Sequence, residues 1–289
     1  MKLSYAKQKS LSGYVFLAPW IIGAIFFLVY PFIFSLILSF SSMDANNFAS
    51  MKLIGFQNYK DAFVTDVKFL PLFYSVVTDT LVNTPMIVIF ALLAAIFVSR
   101  DLKGKGFFRA VFFLPVLLGT GFVMEQLQGA NVQAGTMEMA RGILMPEQLR
   151  SYLGPEISDY IGEFFTRITD VMWNSGVQVI ILLAGVQGIN PSLYEVARVD
   201  GASEWEMFWK ITLPMMAPIM LLTIVYTIVA SFTKASGMMD YIISQAFGSD
   251  IPKFPFSAAM GWIYFLFILL MLGIVFIIMN PSVKRVSER

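Results

Sequence analysis

The chain has 289 residues, 57% hydrophobic and 13% charged, with a formal net charge of +1 and a mean hydropathy of +0.73. A soluble domain carries about a quarter charged residues, so composition marks an integral membrane protein, and a near-neutral charge offers no field for nucleic acid. There is no cysteine and no histidine, which excludes disulfides, Cys or His zinc sites, a Cys or Ser–His nucleophile and a His proton relay.

Apolar runs occur at 13–40, 73–98, 107–127, 168–189, 216–235 and 256–279. Each approaches or exceeds the ~20 residues that cross a bilayer. They predict an all-α integral membrane protein of six transmembrane helices, with 1–289 as one domain. The first run is too long, and too lacking in a small-residue cleavage site, for a removed signal peptide. Pro85 within the second run and Pro214 and Pro218 at the entry to the fifth predict bends.

Basic residues set the orientation. Lys2, Lys7 and Lys9 precede the first run, and Arg100, Lys103, Lys105 and Arg109 separate the second from the third. Arg198 and Lys210 separate the fourth from the fifth, and Lys284, Arg285 and Arg289 follow the sixth. Both termini and the 190–214 stretch are therefore expected on the cytoplasmic side. The 42–70 and 128–166 segments are expected outside. The second of these is acidic, with Glu138, Glu147, Glu156, Asp159 and Glu163. Pro146 and Pro155 divide it into predicted helices at 136–144 and 156–166. Long external loops of this kind suit an extracytoplasmic partner, or a solvated cap that ties two spans.

The 190–214 stretch is a polar island. Asn190 suits a helix N-cap, Pro191 the first helical position, and Gly201 the left-handed residue that ends a helix. Ser203 and Glu206 form a capping box for a second short helix, and Pro214 marks its end. Glu195, Arg198, Asp200, Glu204, Glu206 and Lys210 keep the island out of lipid. Tyr194, Val199, Trp205, Phe208 and Trp209 are too apolar for an idle loop, so the surface should be docked on something.

No phosphate-binding loop is present, because Gly104-Lys105-Gly106 lacks the preceding strand and the rest of the pattern. No carboxylate pair has hydrolase spacing on a recognisable scaffold. Asp79 and Asp170 lie within or beside spans, where acids are costly and mark function. For Asp79 a helix–helix hydrogen bond with Thr78, Thr80 or Asn83 is the alternative. Asp170, Asn174 and Gln178 share one face of the fourth helix, and Tyr226, Thr227, Ser231 and Lys234 stand at helical spacing on the fifth. With Trp173 and Trp262, they offer rings to stack on sugar C–H faces and amides and hydroxyls to bond hydroxyls. Interhelical polar contacts and an interfacial aromatic belt are the other reading.

Glu195-Val196-Ala197-Arg198-Val199-Asp200-Gly201-Ala202, followed by Phe208, Ile211, Leu213 and Pro214, resembles the EAA loop of binding-protein-dependent ABC import permeases. The pattern is E-x-A-x-x-D-G-A, a gap, then F-x-x-I-x-L-P, with Val196 replacing the usual second Ala. Lys105-Gly106-Phe107-Phe108-Arg109 with Phe113-Leu114-Pro115, and Tyr14 to Pro19 with Tyr30-Pro31, look like other segments of the carbohydrate permeases. The resemblance covers most of the chain and points to the first of two permease subunits of the maltose, lactose and glycerol-phosphate type.

The resemblance implies the type I ABC importer permease fold in a bacterial cytoplasmic membrane. It implies that residues 190–214 couple to a cytoplasmic ATPase through Glu195, Ala197, Asp200, Gly201, Ala202, Trp205, Phe208, Ile211, Leu213 and Pro214. It implies four partners of kinds: a second permease subunit, two ATPase subunits, an extracytoplasmic solute-binding protein and a saccharide. No cofactor would be bound by this chain, with ATP and Mg held on the ATPase, so the chain is expected to be a permease and not an enzyme. It places the solute pathway near Asp170, Asn174, Val177, Ala230, Ser231 and Lys234. Val177 and Ala230 carry no polar group, so a maltose-like site is not intact, and the acid and cation suggest an oligosaccharide or acidic sugar. A non-sugar solute such as glycerol-phosphate or a polyamine is the alternative.

Overall fold

The computed structural model describes residues 5–44, 47–99, 154–233, 237–248 and 252–287. The predicted third span at 107–127, the helix expected at 136–144, the basic 2–3 loop and Lys234 lie outside the described residues. Three described helices are long and apolar enough to cross a membrane, Phe16–Ser39, Phe69–Ser99 and Phe254–Val286. Two further spans are possible as bent pairs, Gly176–Gln187 with Pro191–Val199 and Glu204–Met215 with Ala217–Thr233. The described chain divides into two compact units, Met1–Val77 with Thr233–Leu270, and Thr78–Phe232 with Met271–Arg289.

In the first unit, α1 (Tyr5–Ala24) leads through a π-turn at Ile25–Val29 into α2 (Tyr30–Ser39). Pro31 has no N–H to offer the preceding turn, and there the ladder widens so that the Tyr30 N–H bonds Ile25 O. A hairpin of β1 (Ser41–Asp44) and β2 (Asn47–Leu53) follows, antiparallel with Ser41 opposite Leu53. This hairpin is the one departure, among the described residues, from the all-α class expected of the chain, and it lies in the segment expected to be an external loop. The Asn58 side chain fixes its base by donating to Ser39 O at 2.9 Å and Ser41 O at 2.7 Å. Asn58 stands in α3 (Gln57–Lys60).

Asp66 then starts the second long helix, α4 (Phe69–Ser99). One of its oxygens accepts the Lys68 and Phe69 amides at 2.9 and 2.7 Å, and the other accepts the Tyr241 hydroxyl at 2.6 Å. Burial and then the Asp66 carboxylate push the Tyr241 phenol well above its ordinary range. In the same unit Trp262 donates to Ser35 Oγ at 3.1 Å and packs on Phe32 with ring centres 4.8 Å apart.

In the second unit the predicted fourth span is broken. α5 (Pro155–Asn174) runs from Gly154 through the predicted 156–166 helix and on to Asn174, and α6 (Gly176–Gln187) resumes one residue later. Asn174, Ser175 and Gly176 are weak helix formers in succession, and Ser and Asn compete for their own backbone. Ser175 Oγ bonds Met172 O at 2.8 Å and Asn174 Nδ2 bonds Asp170 O at 2.7 Å. α7 (Pro191–Val199), α8 (Glu204–Met207), a π-turn at Phe208–Thr212 and α9 (Leu213–Met215) follow. α10 (Ala217–Thr233) closes the unit's middle, and α12 (Phe254–Ser287) is reached after α11 (Gly237–Ile243) of the first unit.

The core of the second unit joins α4, α6 and the start of α10 through Ala91, Leu92, Ala95, Val98, Val179, Leu182 and Met216. Small residues on α4 let the helices approach. Gly185 marks a close approach, since a Cβ there would lie 3.0 Å from Met216 and Ile219 side-chain atoms. Pro85 stays inside the continuous α4.

Candidate functional site

The island between α6 and α10 folds as an elbow. Asn190 accepts the Ser192 amide at 3.0 Å, with Pro191 at the first turn of α7. Gly201 has φ +79°, the left-handed region glycine occupies without strain. Its N–H bonds Arg198 O at 3.1 Å and the Ala202 N–H bonds Ala197 O at 2.9 Å. That pair of bonds is the Schellman closure of a helix. Ser203 and Glu206 then cap each other reciprocally. The Ser203 amide, followed by its hydroxyl and Lys210, holds the Glu206 carboxyl below its ordinary range.

The second arm ends at Met215, one residue beyond Pro214. Pro214 is the second residue of α9, directly after the π-turn in which the Leu213 N–H bonds Phe208 O, and its missing N–H falls where the ladder has widened. The chain turns at Met216, and the two arms of this pair bend by 66°. α6 and α7 bend by 61°.

Tyr194 and Thr212 were not among the predicted site residues, yet their hydroxyls meet at 2.9 Å and staple α7 to the π-turn. The signal available in the sequence was a single tyrosine on a charged helix and a threonine between Ile211 and Leu213. Arg198 pairs with Glu204 at 3.4 Å and Lys210 with Glu206 at 3.4 Å, both exposed. Glu195 and Asp200 are exposed and enter neither pair, so the elbow's uncompensated charge is negative.

The elbow also exposes apolar groups. Val199 is 88% accessible and Trp205 is 68% accessible. Trp205, Phe208 and Trp209 form one aromatic cluster with ring centres 5.1 to 6.2 Å apart. Ala197, Ala202, Ile211 and Leu213 are half-buried. A groove of about 710 Å³ opens beside the elbow among Ile96, Ser99, Gln187, Tyr194, Trp205 and Phe208. Large apolar side chains held rigid in water are the chemistry of a docking surface.

The predicted pathway residues fall into two groups. Gln178, Thr227 and Ser231 bond other helices: Gln178 Nε2 donates to Thr227 Oγ1 at 3.2 Å, and Ser231 Oγ meets Thr80 Oγ1 at 3.0 Å. Asp170, Trp173 and Asn174 lie half-buried near the end of α5, and the Trp173 indole N–H is buried without a partner among the described residues. Tyr226 is 40% accessible, facing away from its buried neighbour Thr227. Asp79 is on the exposed side of α4. Among the described residues no three acidic side chains gather as a metal site.

A family profile described as the binding-protein-dependent transport system inner membrane component matches residues 66–288. The probable ABC transporter permease protein YesP of Bacillus subtilis (strain 168) is 32% identical over 256 residues, covering 87% of this chain and 79% of the relative. The arabinooligosaccharides transport system permease protein AraP of the same organism is 27% identical over 236 residues, covering 78% and 70%. A crystal structure of a bacterial ABC transporter involved in import of the acidic polysaccharide alginate contains a chain of like fold, with TM-score 0.61 and 20% identity over 95% of this chain and 96% of that one.

Proposed function

The chain belongs to the family of inner membrane components of binding-protein-dependent transport systems, and from that premise we propose that it is a permease subunit of an ATP-driven ABC importer for a saccharide. It forms half of a translocation pathway, with a second permease subunit forming the other half. An extracytoplasmic solute-binding protein delivers the sugar, and two cytoplasmic ATPase subunits hold ATP and Mg and hydrolyse the nucleotide. The six spans run with both termini in the cytoplasm. The names of two similar proteins, an arabinooligosaccharide permease and an alginate importer, support an oligosaccharide, neutral or acidic.

The observation that carries the reading is the elbow. Glu195, Ala197, Asp200, Gly201 and Ala202 stand in the E-x-A-x-x-D-G-A spacing on a rigid Schellman corner. Val199 and Trp205 project from it into solvent. We assign this surface to a cleft on the ATPase. ATP-driven closure of two ATPases draws two such elbows together and rocks the attached helices, so the pathway opens alternately to each side. Glu195 makes the polar contact, Gly201 and Ala202 allow close approach, and Trp205 and Phe208 fill apolar hollows. Ile211, Leu213 and Pro214 carry the motion into α10.

Asp170, Trp173, Asn174, Tyr226 and Lys234 are the solute contacts in this reading. Gln178, Thr227 and Ser231 hold the wall behind them. The test is energised uptake and retention of the ATPase on purification. Glu195→Lys and Gly201→Asp are expected to lose both, and unchanged uptake with an unchanged ATPase yield would remove the coupling role.

A further inference from the structure

Behind the elbow, α4, α6 and α10 share a buried ladder of polar side chains. The first rung is Thr80 with Ser231, at 3.0 Å. α4 and α10 run antiparallel, because the Ala91–Val98 end of α4 packs against Met216 at the start of α10. One turn along, about 6 Å on each helix, Thr84 therefore comes level with Thr227. Thr227 is already committed: its hydroxyl donates to Thr223 O at 2.7 Å and accepts from Gln178 Nε2 at 3.2 Å. That leaves two bare atoms at this level. Thr84 Oγ1 and Gln178 Oε1 are buried and have no partner among the described residues. Gln178 is 3% accessible and Thr84 is 7% accessible. Turning the amide over changes nothing, since one end would still be bare and a hydroxyl suits either end.

We infer that Thr84 and Gln178 are a switch rung, open in the state seen here and closed in another state of the transport cycle. The chain connectivity supplies the motion. The elbow joins α6 to α10, and at Gly185 the two segments pack so closely that a Cβ would lie 3.0 Å from Met216 and Ile219 side-chain atoms. A pull on the elbow moves α6 and α10 as one body past α4. A small slide carries the free end of the Gln178 amide to the Thr84 hydroxyl, so the closed rung favours the displaced state. Buried polar atoms are nearly always paired, and two complementary bare ones on opposite sides of a sliding contact are what a two-state element requires.

The inference rests on the permease reading, and the assay separates them. The full complex is assembled with ATPase subunits, and the concentration of a non-hydrolysable ATP analogue that gives half-maximal nucleotide occlusion is measured. Thr84→Val and Gln178→Met are each expected to raise it about threefold to fivefold, the scale of one interhelical hydrogen bond in a membrane. The double variant should raise it no further, and Thr84→Ser should restore the wild-type value. No shift for Thr84→Val, or additive shifts in the double variant, would overturn the rung while wild-type uptake leaves the permease reading standing. If Gln178→Met fails to assemble, the Thr84→Val and Thr84→Ser pair decides alone. A wild-type complex that never couples ATP to uptake overturns both.

Discussion

Gly201 separates two causes that a single loss-of-function variant would confuse. Its φ of +79° lies where L side chains are strained, and a Cβ built there meets nothing within 4 Å. Within the chain itself, a substitution therefore costs backbone strain and no clash. For alanine that strain is about 1–2 kcal/mol. Asparagine tolerates the left-handed region better, so its strain is smaller. If the elbow enters a close-fitting cleft, the larger asparagine side chain collides with the partner. Gly201→Ala should lower thermal stability of the isolated chain more than Gly201→Asn does. Docking should rank the other way, with Gly201→Asn retaining less ATPase on purification and transporting less. A Gly201→Asn chain that keeps wild-type ATPase binding and uptake would refute close approach at this corner.

Tyr194→Phe removes the hydroxyl that meets Thr212 at 2.9 Å. It should cost about 1 kcal/mol of stability, read as a lower melting temperature of the solubilised chain with uptake reduced less than by Glu195→Lys. Tyr241→Phe removes a 2.6 Å bond to a carboxylate and should cost about 2 kcal/mol. Because burial and the Asp66 carboxylate raise the native phenol above its ordinary value of 10.0, its contribution is full below that pH and fades as pH rises. The stability gap between wild type and Tyr241→Phe should therefore stay constant from neutral pH to about 9 and narrow in stronger base. Gly185→Leu forces a side chain into the 3.0 Å contact with Met216 and Ile219. It should destabilise by roughly 1–3 kcal/mol, while Gly185→Ala is milder because a single methyl asks the Met216 tip and the Ile219 Cγ2 to yield only slightly.

The elbow was legible because its determinants are local. An N-cap, a left-handed glycine and a capping box each act within a few residues, and Asn190, Gly201, Ser203 and Glu206 all stand where that chemistry requires. Hydropathy located the long helices around Phe16–Ser39, Phe69–Ser99 and Phe254–Val286 for the same reason. The break at Ser175 was masked, because the apolar residues on both sides outweigh three weak helix formers in any sliding window. The hairpin at Ser41–Leu53 escaped notice for a different reason: its short strands lack a clean apolar alternation. Side-chain partnerships were the least legible. Gln178 and Thr227 lie 49 residues apart, and helical spacing reports which residues share a face but not what stands opposite. Tyr194 with Thr212 and Thr80 with Ser231 were hidden in the same way.

Saccharide-dependent ATP hydrolysis decides whether this chain couples sugar entry to an ATPase. The chain is reconstituted in proteoliposomes with its second permease, both ATPase subunits and the solute-binding protein, and hydrolysis is followed as candidate saccharides are added. One saccharide class is expected to stimulate hydrolysis and accumulate inside, and Glu195→Lys to abolish both. Stimulation and accumulation with a non-sugar solute alone, or solute flux through the chain without the ATPase, would contradict this coupling.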